Sequence, residues 1–192
     1  MLRILLLLQV PFLIAMSFSC SGFKRECFSC NFRREFLQRE ETPTMGAIKK
    51  SAEEFKRKYQ IKVTGTGGCV RDGKKTSISI GFETRHPMKK EEWCKVIVEC
   101  TQQFLKDINS DAKLEPYLSE KPYTYKHIEI KIFISNPDGS SIFHPGISVT
   151  SLVNGEISYS TVDPENRWRY KSDEYESYEE ALQKVQVGNE LE

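Results

Sequence analysis

Thiols and imidazoles are the side chains best suited to nucleophilic or metal chemistry, and this 192-residue chain has six cysteines and three histidines. Cys27 and Cys30 have two residues between them, which is the spacing of a redox pair or of half a zinc site. A thioredoxin-like pair follows a strand and begins a helix, and no strand is predicted before Cys27. The sequence holds no second pair that would complete a four-thiolate zinc site. We therefore expect a local disulfide or another role near the N-terminus.

Cys94 and Cys100 lie on one predicted helix. Six residues at 1.5 Å per residue separate them by about 9 Å, which exceeds the limit of about 7 Å between the Cα atoms of a disulfide. Either could reach Cys69, which lies on a predicted strand. A thiol enzyme with a site near Cys69 is therefore part of the alternative function, although a buried free cysteine usually acts as a small apolar residue.

The three histidines lack the spacing of a metal site. His86 precedes a predicted helix, His127 begins a strand and His144 lies in a Pro-Gly loop, so no two of them have the i, i+4 spacing of a helical zinc site. The glycine-rich stretch GTGGC, residues 65–69, is followed by a turn and a strand instead of the helix that a phosphate loop needs. We expect a β-bulge or a close backbone approach there, and neither a cofactor nor a metal ion.

The best candidate for a contact surface is the run DPENRWRYKSDEYESYEE, residues 163–180. Trp168, Tyr170, Tyr175 and Tyr178 alternate there with charges of both signs, and tryptophan, tyrosine and arginine dominate binding hot spots. We therefore predict that this segment contacts a protein or peptide partner, with Trp168, Tyr170 and Tyr175 as the binding residues. In the alternative, the aromatic side chains fold back and seal the edge of the sheet.

A segment typical of export precedes all of these residues. Arg3 and the free amino group are followed by the apolar run of residues 4–19, which is shorter than the about 20 residues of a bilayer-spanning helix and contains Pro11. A positive start, a short apolar core and small residues at its end predict a signal peptide over residues 1–19. The alternative is an uncleaved signal anchor.

The residues SFSC, which end at Cys20, and the following SG resemble a bacterial lipobox, with Ser17 where that motif prefers leucine. The resemblance implies that Cys20 becomes the mature N-terminus and carries acyl chains, two or more of which anchor a protein stably. Ordinary cleavage near Ser19 is the alternative and would leave a soluble periplasmic or secreted protein. The stretches QQFLKDINSD, LEPYLSEKPYT and GISVTSLVNGEISY are similar to small bacterial exported lipoproteins of unknown function, a family that implies an exported α+β domain and no catalytic residue.

The charge balance excludes one class of partner. Cleavage before Cys20 removes one ionised side chain, that of Arg3, so the 28 basic and 27 acidic residues of the chain become 27 and 27. A formally neutral chain argues against a dedicated nucleic-acid binder. Residues 20–45, which combine mixed charges with spaced phenylalanines, are predicted to be a linker after the lipid anchor.

Residues 46–187 are predicted to form a single α+β domain, followed by a tail over residues 188–192. The expected order is α-β-β-α-β-β-β-α, with an antiparallel sheet and helices mainly on one face. The elements are a helix over 47–59, a hairpin about Asp72-Gly73, a helix over 88–109, the strand HIEIKIFIS, a hairpin about Asn154-Gly155 and a last helix that begins with a Ser177–Glu180 capping box.

The wide apolar face of the helix over 88–109 predicts that this helix lies across the sheet. The strand over 128–134 presents alternate isoleucines, and the first hairpin presents Ile78 and Ile80. We expect both sets of isoleucines to be covered by four residues of the helix, namely Trp93, Ile97, Cys100 and Phe104.

Taken together, the sequence predicts an exported lipoprotein at the bacterial cell membrane or outer membrane. Its expected role in the cell envelope is non-enzymatic binding or structure, with the membrane and an envelope protein or peptide as partners. A small exported hydrolase or thiol enzyme with a site near Cys69 is the alternative.

Replacement of the predicted acylated cysteine tests the anchor. Cys20→Ala should move the protein from the membrane fraction to the soluble fraction, because the residue that would carry the acyl chains is gone. Fractionation with mass spectrometry of the mature N-terminus measures this. Unchanged membrane retention with an intact N-terminus would instead support the signal anchor.

Overall fold

The structure, a computed structural model, describes residues 43–190 of the chain. The predicted signal peptide, Cys20, Cys27, Cys30 and most of the predicted linker lie outside the described residues. The α-helices and β-strands within this range are, in chain order, α1 (Pro43–Tyr59), β1 (Lys62–Gly67), β2 (Val70–Arg71), β3 (Lys74–Lys75), β4 (Ile78–Thr84), α2 (Lys90–Ser110), β5 (Ile128–Ile134), β6 (Val149–Val153), β7 (Glu156–Val162), β8 (Tyr170–Ser177) and α3 (Tyr178–Glu190). Two short 3-10 helices, Glu115–Tyr117 and Tyr125–His127, lie between α2 and β5.

Six of the strands form one sheet in the order β1-β4-β5-β6-β7-β8, and β2 and β3 form a separate two-stranded ribbon. The predicted α+β class is confirmed, but the sheet is mixed instead of wholly antiparallel. β4 and β5 run parallel, from the pair Ile78–Ile128 to the pair Thr84–Ile134. The reason is the 21-residue helix α2, which carries the chain back to the end of the sheet at which β4 begins. β5 therefore starts beside the first residue of β4 and runs parallel to it.

The helices cover one face of this sheet, as predicted. Alternate residues of β5, the four isoleucines from Ile128 to Ile134, are at most 5% exposed, whereas Phe133 on the other face is 42% exposed. α2 packs on β5 and β6 and contacts both α1 and α3. The predicted core is confirmed, since its four helix residues are fully buried, namely Trp93, Ile97, Cys100 and Phe104.

Both predicted turns are present. The residues Asp72-Gly73 and Asn154-Gly155 have positive φ angles at both positions, as the tight turns of two-stranded hairpins require. The predicted irregularity in the glycine-rich stretch is also present. The register of β1 against β4 shifts between Val63 and Gly65, and a Cβ atom at Gly68 would lie 2.2 Å from the carbonyl oxygen of Ser77.

A buried carboxylate joins α1 to α2. Asp107 is 3% exposed and accepts hydrogen bonds from the Lys50 ammonium at 2.6 Å, the Ser51 hydroxyl at 2.8 Å and the Gln103 amide at 3.1 Å. Burial raises the pKa of this carboxyl, but the three hydrogen bonds and the Lys50 charge outweigh it and lower the pKa. Asp107 is therefore charged and fully paired at neutral pH.

Two boundaries and one element differ from expectation. α1 begins at Pro43, inside the predicted linker, because proline suits the first turn of a helix, where its missing N–H has no partner to lose. α3 extends to Glu190, into the predicted tail. The strand β8 was not predicted, because its residues 170–177 are mostly exposed and lack a run of alternate apolar residues.

Truncation of a core residue tests the packing of α2. Phe104→Ala or Ile130→Ala should lower the free energy of unfolding by about 2–5 kcal/mol, because each removes fully buried apolar atoms and leaves a cavity. Urea denaturation measures the loss. Phe133→Ala, on the opposite face of β5, is the matched control and should cost less than about 1 kcal/mol. Equal losses for Phe133→Ala and Phe104→Ala would contradict the assignment of faces.

Candidate functional site

The three predicted binding aromatics are exposed. Trp168 lies in the turn between β7 and β8 and is 85% exposed, while Tyr170 and Tyr175 on β8 are 43% and 59% exposed. The neighbouring Tyr178, by contrast, is a core residue, 3% exposed. These three aromatic side chains, which we call the aromatic surface, therefore present apolar area to solvent.

Local hydrogen bonds hold Trp168 in place. The N–H of Asp163 donates to the carbonyl of Arg169 at 2.9 Å, which closes the turn. The side-chain oxygen of Asn166 accepts from the N–H of Trp168 at 3.1 Å. The Arg167 guanidinium lies 4.8 Å from the indole centroid, within the range of a cation–π contact. The exposed indole is thus carried by an ordered turn.

The register of β8 on β7 places the two tyrosines on the face of the sheet away from the helices. Tyr175 is paired with Ser158 and Tyr170 with Val162, and both partners alternate with the buried residues of β7. Asp173, paired with Ser160, lies between the two tyrosines on that face. This face of β8 therefore has a carboxylate between two tyrosine side chains.

β8 is an edge strand, because β7 is its only neighbour in the described part of the sheet. The N–H of Tyr178 donates to the carbonyl of Gly155 at 2.9 Å, which continues the β7–β8 ladder past the strand end. Since hydrogen-bonded pairs alternate along an antiparallel ladder, Glu176 and Glu174 bond to β7, whereas the backbone groups of Asp173 and Tyr175 point outward.

A groove lies between β8 and α3. Its volume is about 730 Å³, and a neighbouring cavity of about 520 Å³ shares part of its wall and reaches Cys94. The wall from α3 includes Glu180, Lys184 and Val187, whose spacing of four and three residues puts them on one helix face. The groove therefore runs beside the edge strand, with Tyr175 and Glu176 on its other side.

A buried carboxylate forms the floor between the two cavities. The Glu176 side chain is 7% exposed, and it accepts hydrogen bonds from the Tyr159 hydroxyl at 2.6 Å and the Lys184 ammonium at 2.5 Å. Burial raises the pKa of Glu176, but these two hydrogen bonds outweigh it and lower the pKa. Lys90 lies 5.0 Å from the Tyr159 ring centroid and pairs with Glu174 at 2.6 Å.

Sequence reasoning missed this cluster, although one signal was present. Tyr159 lies two residues after Ile157 in the strand sequence EISYSTV, and a buried tyrosine hydroxyl usually has a hydrogen-bond partner. That partner, Glu176, belongs to the strand that was not predicted.

The described cysteines are free thiols in settings that do not favour nucleophilic attack. Cys69, Cys94 and Cys100 form no disulfide, so a bond from Cys69 to α2 is not made. Burial raises the pKa of Cys94 and of Cys100, which keeps both thiols protonated. Cys69 is exposed, and within residues 43–190 its thiol has no histidine partner.

The three histidines have different surroundings in the structure. His86 is exposed, His127 stacks on Tyr123 with 4.7 Å between ring centroids, and His144 contacts the Thr161 hydroxyl at 3.1 Å. Among the described residues no group of three or more potential ligands could hold a metal ion. None of the described helices combines the length and apolarity that a membrane crossing requires.

Comparison with known proteins adds no assignment: no protein-family model, curated protein or solved structure matches this chain.

Removal of the Glu176 charge tests the cluster through its pH dependence. Glu176→Gln should lower the free energy of unfolding by about 1–3 kcal/mol at pH 7, because the Lys184 and Tyr159 donors lose a charged acceptor. The pKa of Glu176 is lowered in the folded protein, so its charge stabilises the fold at pH values above the pKa of the unfolded chain, which is about 4.5. This stabilisation is lost as the pH falls through the lower pKa of the folded state. The difference between the variant and the wild type should therefore shrink below pH 4.5.

Urea denaturation at pH 7, 5 and 3 measures this difference. Glu53→Gln, at an exposed position of α1, is the control and should change stability little at any of these pH values. A difference for Glu176→Gln that does not change with pH would contradict the pairing.

Proposed function

We propose that this protein is an exported lipoprotein, anchored to a bacterial membrane through Cys20, whose domain binds an envelope protein or peptide through the aromatic surface. The exposure of Trp168, Tyr170 and Tyr175 on an ordered turn and strand is the observation that carries the proposal. Large aromatic side chains that remain in water next to a complete core are a recurrent feature of binding sites.

None of these three side chains belongs to the buried core or packs against it. Ile157 and Tyr159 of β7 and Tyr178 at the start of α3 belong to that core. An indole that is 85% exposed contributes little to stability, but it offers a large apolar area to a partner.

Rigid presentation also supports binding. The hydrogen bonds of the turn over 163–169 and the ladder between β7 and β8 order the backbone that carries the aromatic surface. Binding then requires less ordering of this backbone, which leaves more of the interaction free energy for affinity. The membrane anchor is supported by the N-terminal pattern, namely the apolar run before Cys20 and the small residues around it.

The alternative of a thiol enzyme or hydrolase near Cys69 has weaker support. Its thiol is exposed, but the described residues provide neither a histidine nor another base in contact with it. A nucleophilic thiol needs such a partner to become a thiolate near neutral pH.

Substitution of the aromatic surface tests the proposed function. Trp168→Ala with Tyr170→Ala should abolish co-purification of an envelope protein from detergent extracts and change the melting temperature by less than about 3 °C, since exposed side chains contribute little to folding. Tyr117→Ala removes an aromatic residue that is 50% exposed elsewhere on the domain, and it is the matched control. A large fall in melting temperature for the double variant would show that these residues are structural.

A further inference from the structure

The backbone of β8 offers unused hydrogen-bonding groups. Asp173 and Tyr175 each point an N–H and a C=O away from β7, about 6.8 Å apart along the strand. The N–H of Ser177 would be the next in this row, but it donates to the Glu180 carboxylate at 3.0 Å. The free edge of β8 thus has two complete donor–acceptor pairs, which match two alternate residues of another extended chain.

The surroundings of this edge leave room for another strand. An added strand alternates its side chains between the two faces of the sheet. One set would lie beside Tyr175 and Tyr170 on the aromatic surface. The other set would enter the groove of about 730 Å³ between β8 and α3, where Val187 is 57% exposed. Backbone pairing with pockets for alternate side chains is the general basis of peptide recognition by strand addition.

The charges at the edge indicate which strand fits. β8 contains one basic residue, Lys171, and three acidic residues. Glu174 and Glu176 are paired with Lys90 and Lys184, whereas Asp173 forms no ion pair within residues 43–190. Glu180 on the groove wall also forms no ion pair within residues 43–190, and Lys171 offsets only one of the Asp173 and Glu180 charges. The edge and the groove together therefore carry a net negative charge, which favours a basic segment.

A second copy of β8 fits this edge poorly. Antiparallel pairing of two copies must set outward-pointing residues against each other, which places Asp173 opposite Asp173 or, in the next register, Glu174 opposite Glu174. Like charges directly opposite each other are destabilising. Charged residues and a bulge, which here lies near Lys171, are also the usual devices that keep edge strands from pairing with their own kind.

We propose that a basic, extended peptide segment adds to the free edge of β8 as a seventh strand, with its backbone paired to Asp173 and Tyr175. This inference rests on the proposed function, since the added strand would lie beside the aromatic surface. It names the partner class as a cationic segment in β-conformation, recognised through backbone pairing and not through side chains alone.

Hydrogen exchange with a defined peptide tests the proposal on the domain as it exists in the mature chain. The probe is an acetylated and amidated octapeptide of alternating lysine and valine, and the control is its glutamate counterpart. On addition of the lysine peptide, exchange of the Asp173 and Tyr175 amides should slow at least about tenfold, because both gain hydrogen-bond acceptors. The Glu174 and Glu176 amides, already paired to β7, should change little. The glutamate peptide should produce no protection.

Two substitutions at one position separate backbone pairing from charge. Asp173→Asn removes the charge and keeps the backbone N–H, whereas Asp173→Pro removes both. Asp173→Pro should leave the β7–β8 ladder intact, because proline is tolerated on an edge strand where the N–H faces solvent. Asp173→Pro should weaken peptide binding at least about tenfold more than Asp173→Asn, as expected for a lost backbone hydrogen bond and a blocked edge. A melting curve confirms that both variants fold, and the exchange pattern of the wild type gives an independent test.

Several outcomes would overturn the proposal. The first group concerns the peptides: failure of the lysine peptide to bind, binding of the lysine peptide without protection of the Asp173 and Tyr175 amides, or binding of the glutamate peptide as tight as that of the lysine peptide. The second group concerns the protein: equal affinity of Asp173→Asn and Asp173→Pro for the lysine peptide, or an edge-to-edge dimer in sedimentation. Loss of the envelope partner in Trp168→Ala with Tyr170→Ala, but full retention in Asp173→Pro, would reject strand addition and keep the proposed function. Retention of the envelope partner by Trp168→Ala with Tyr170→Ala and also by Asp173→Pro would reject both strand addition and the proposed function.

Discussion

The packing of α2 on the central strands β5 and β6 is the interaction on which the rest of this structure depends. The register of the parallel pair β4–β5 aligns Ile78 with Ile128 and Ile80 with Ile130, so the two strands present a continuous apolar surface. α2 packs on the β5 side of this surface with fully buried side chains that include Trp93 and Phe104, and Phe55 of α1 contacts Phe82 of β4. Burial of apolar area stabilises by roughly 25 cal/mol per Å², and this contact contains several of the largest buried side chains of the domain.

The same helix is held near both ends by polar contacts that tie it to the flanking elements. Near its C-terminus the buried Asp107 accepts hydrogen bonds from Lys50 and Ser51 of α1. At its first residue Lys90 pairs with Glu174 of β8, close to the buried Glu176. A buried carboxylate is tolerated only when its acceptor capacity is satisfied, so each of these clusters specifies how one neighbouring element docks. The candidate groove is bounded by the second cluster.

The candidate site lies at β8, the edge strand of the described sheet. One face is covered by helices, and β8 closes the sheet with a strand whose ladder is complete on one side only. The buried core does not include the side chains of Trp168 and Tyr175, so both remain exposed at the end of the sheet. A rigid scaffold with binding residues at an edge and in the adjoining turn is a common division of labour in proteins.

The sequence alone determined the features that depend on local patterns. The two-residue turns require positive φ angles, which the Asp-Gly and Asn-Gly pairs adopt readily. The alternating isoleucines of β5 predict a strand with one buried face, and the wide apolar face of α2 predicts a helix that packs across the sheet. Aromatic residues among charges identified Trp168, Tyr170 and Tyr175 as candidates for contact.

Tertiary structure decided what depends on residues far apart in the chain. The parallel pairing of β4 with β5 follows from where α2 returns the chain, which its own periodicity does not specify. β8 is a strand because β7 offers a partner, since its exposed residues carry no apolar pattern of their own. The contact of Tyr159 with Glu176 and the free backbone edge at Asp173 exist only once that pairing has formed. Hydrogen bonds between distant residues depend on three-dimensional proximity, and local propensity and periodicity carry no information about it.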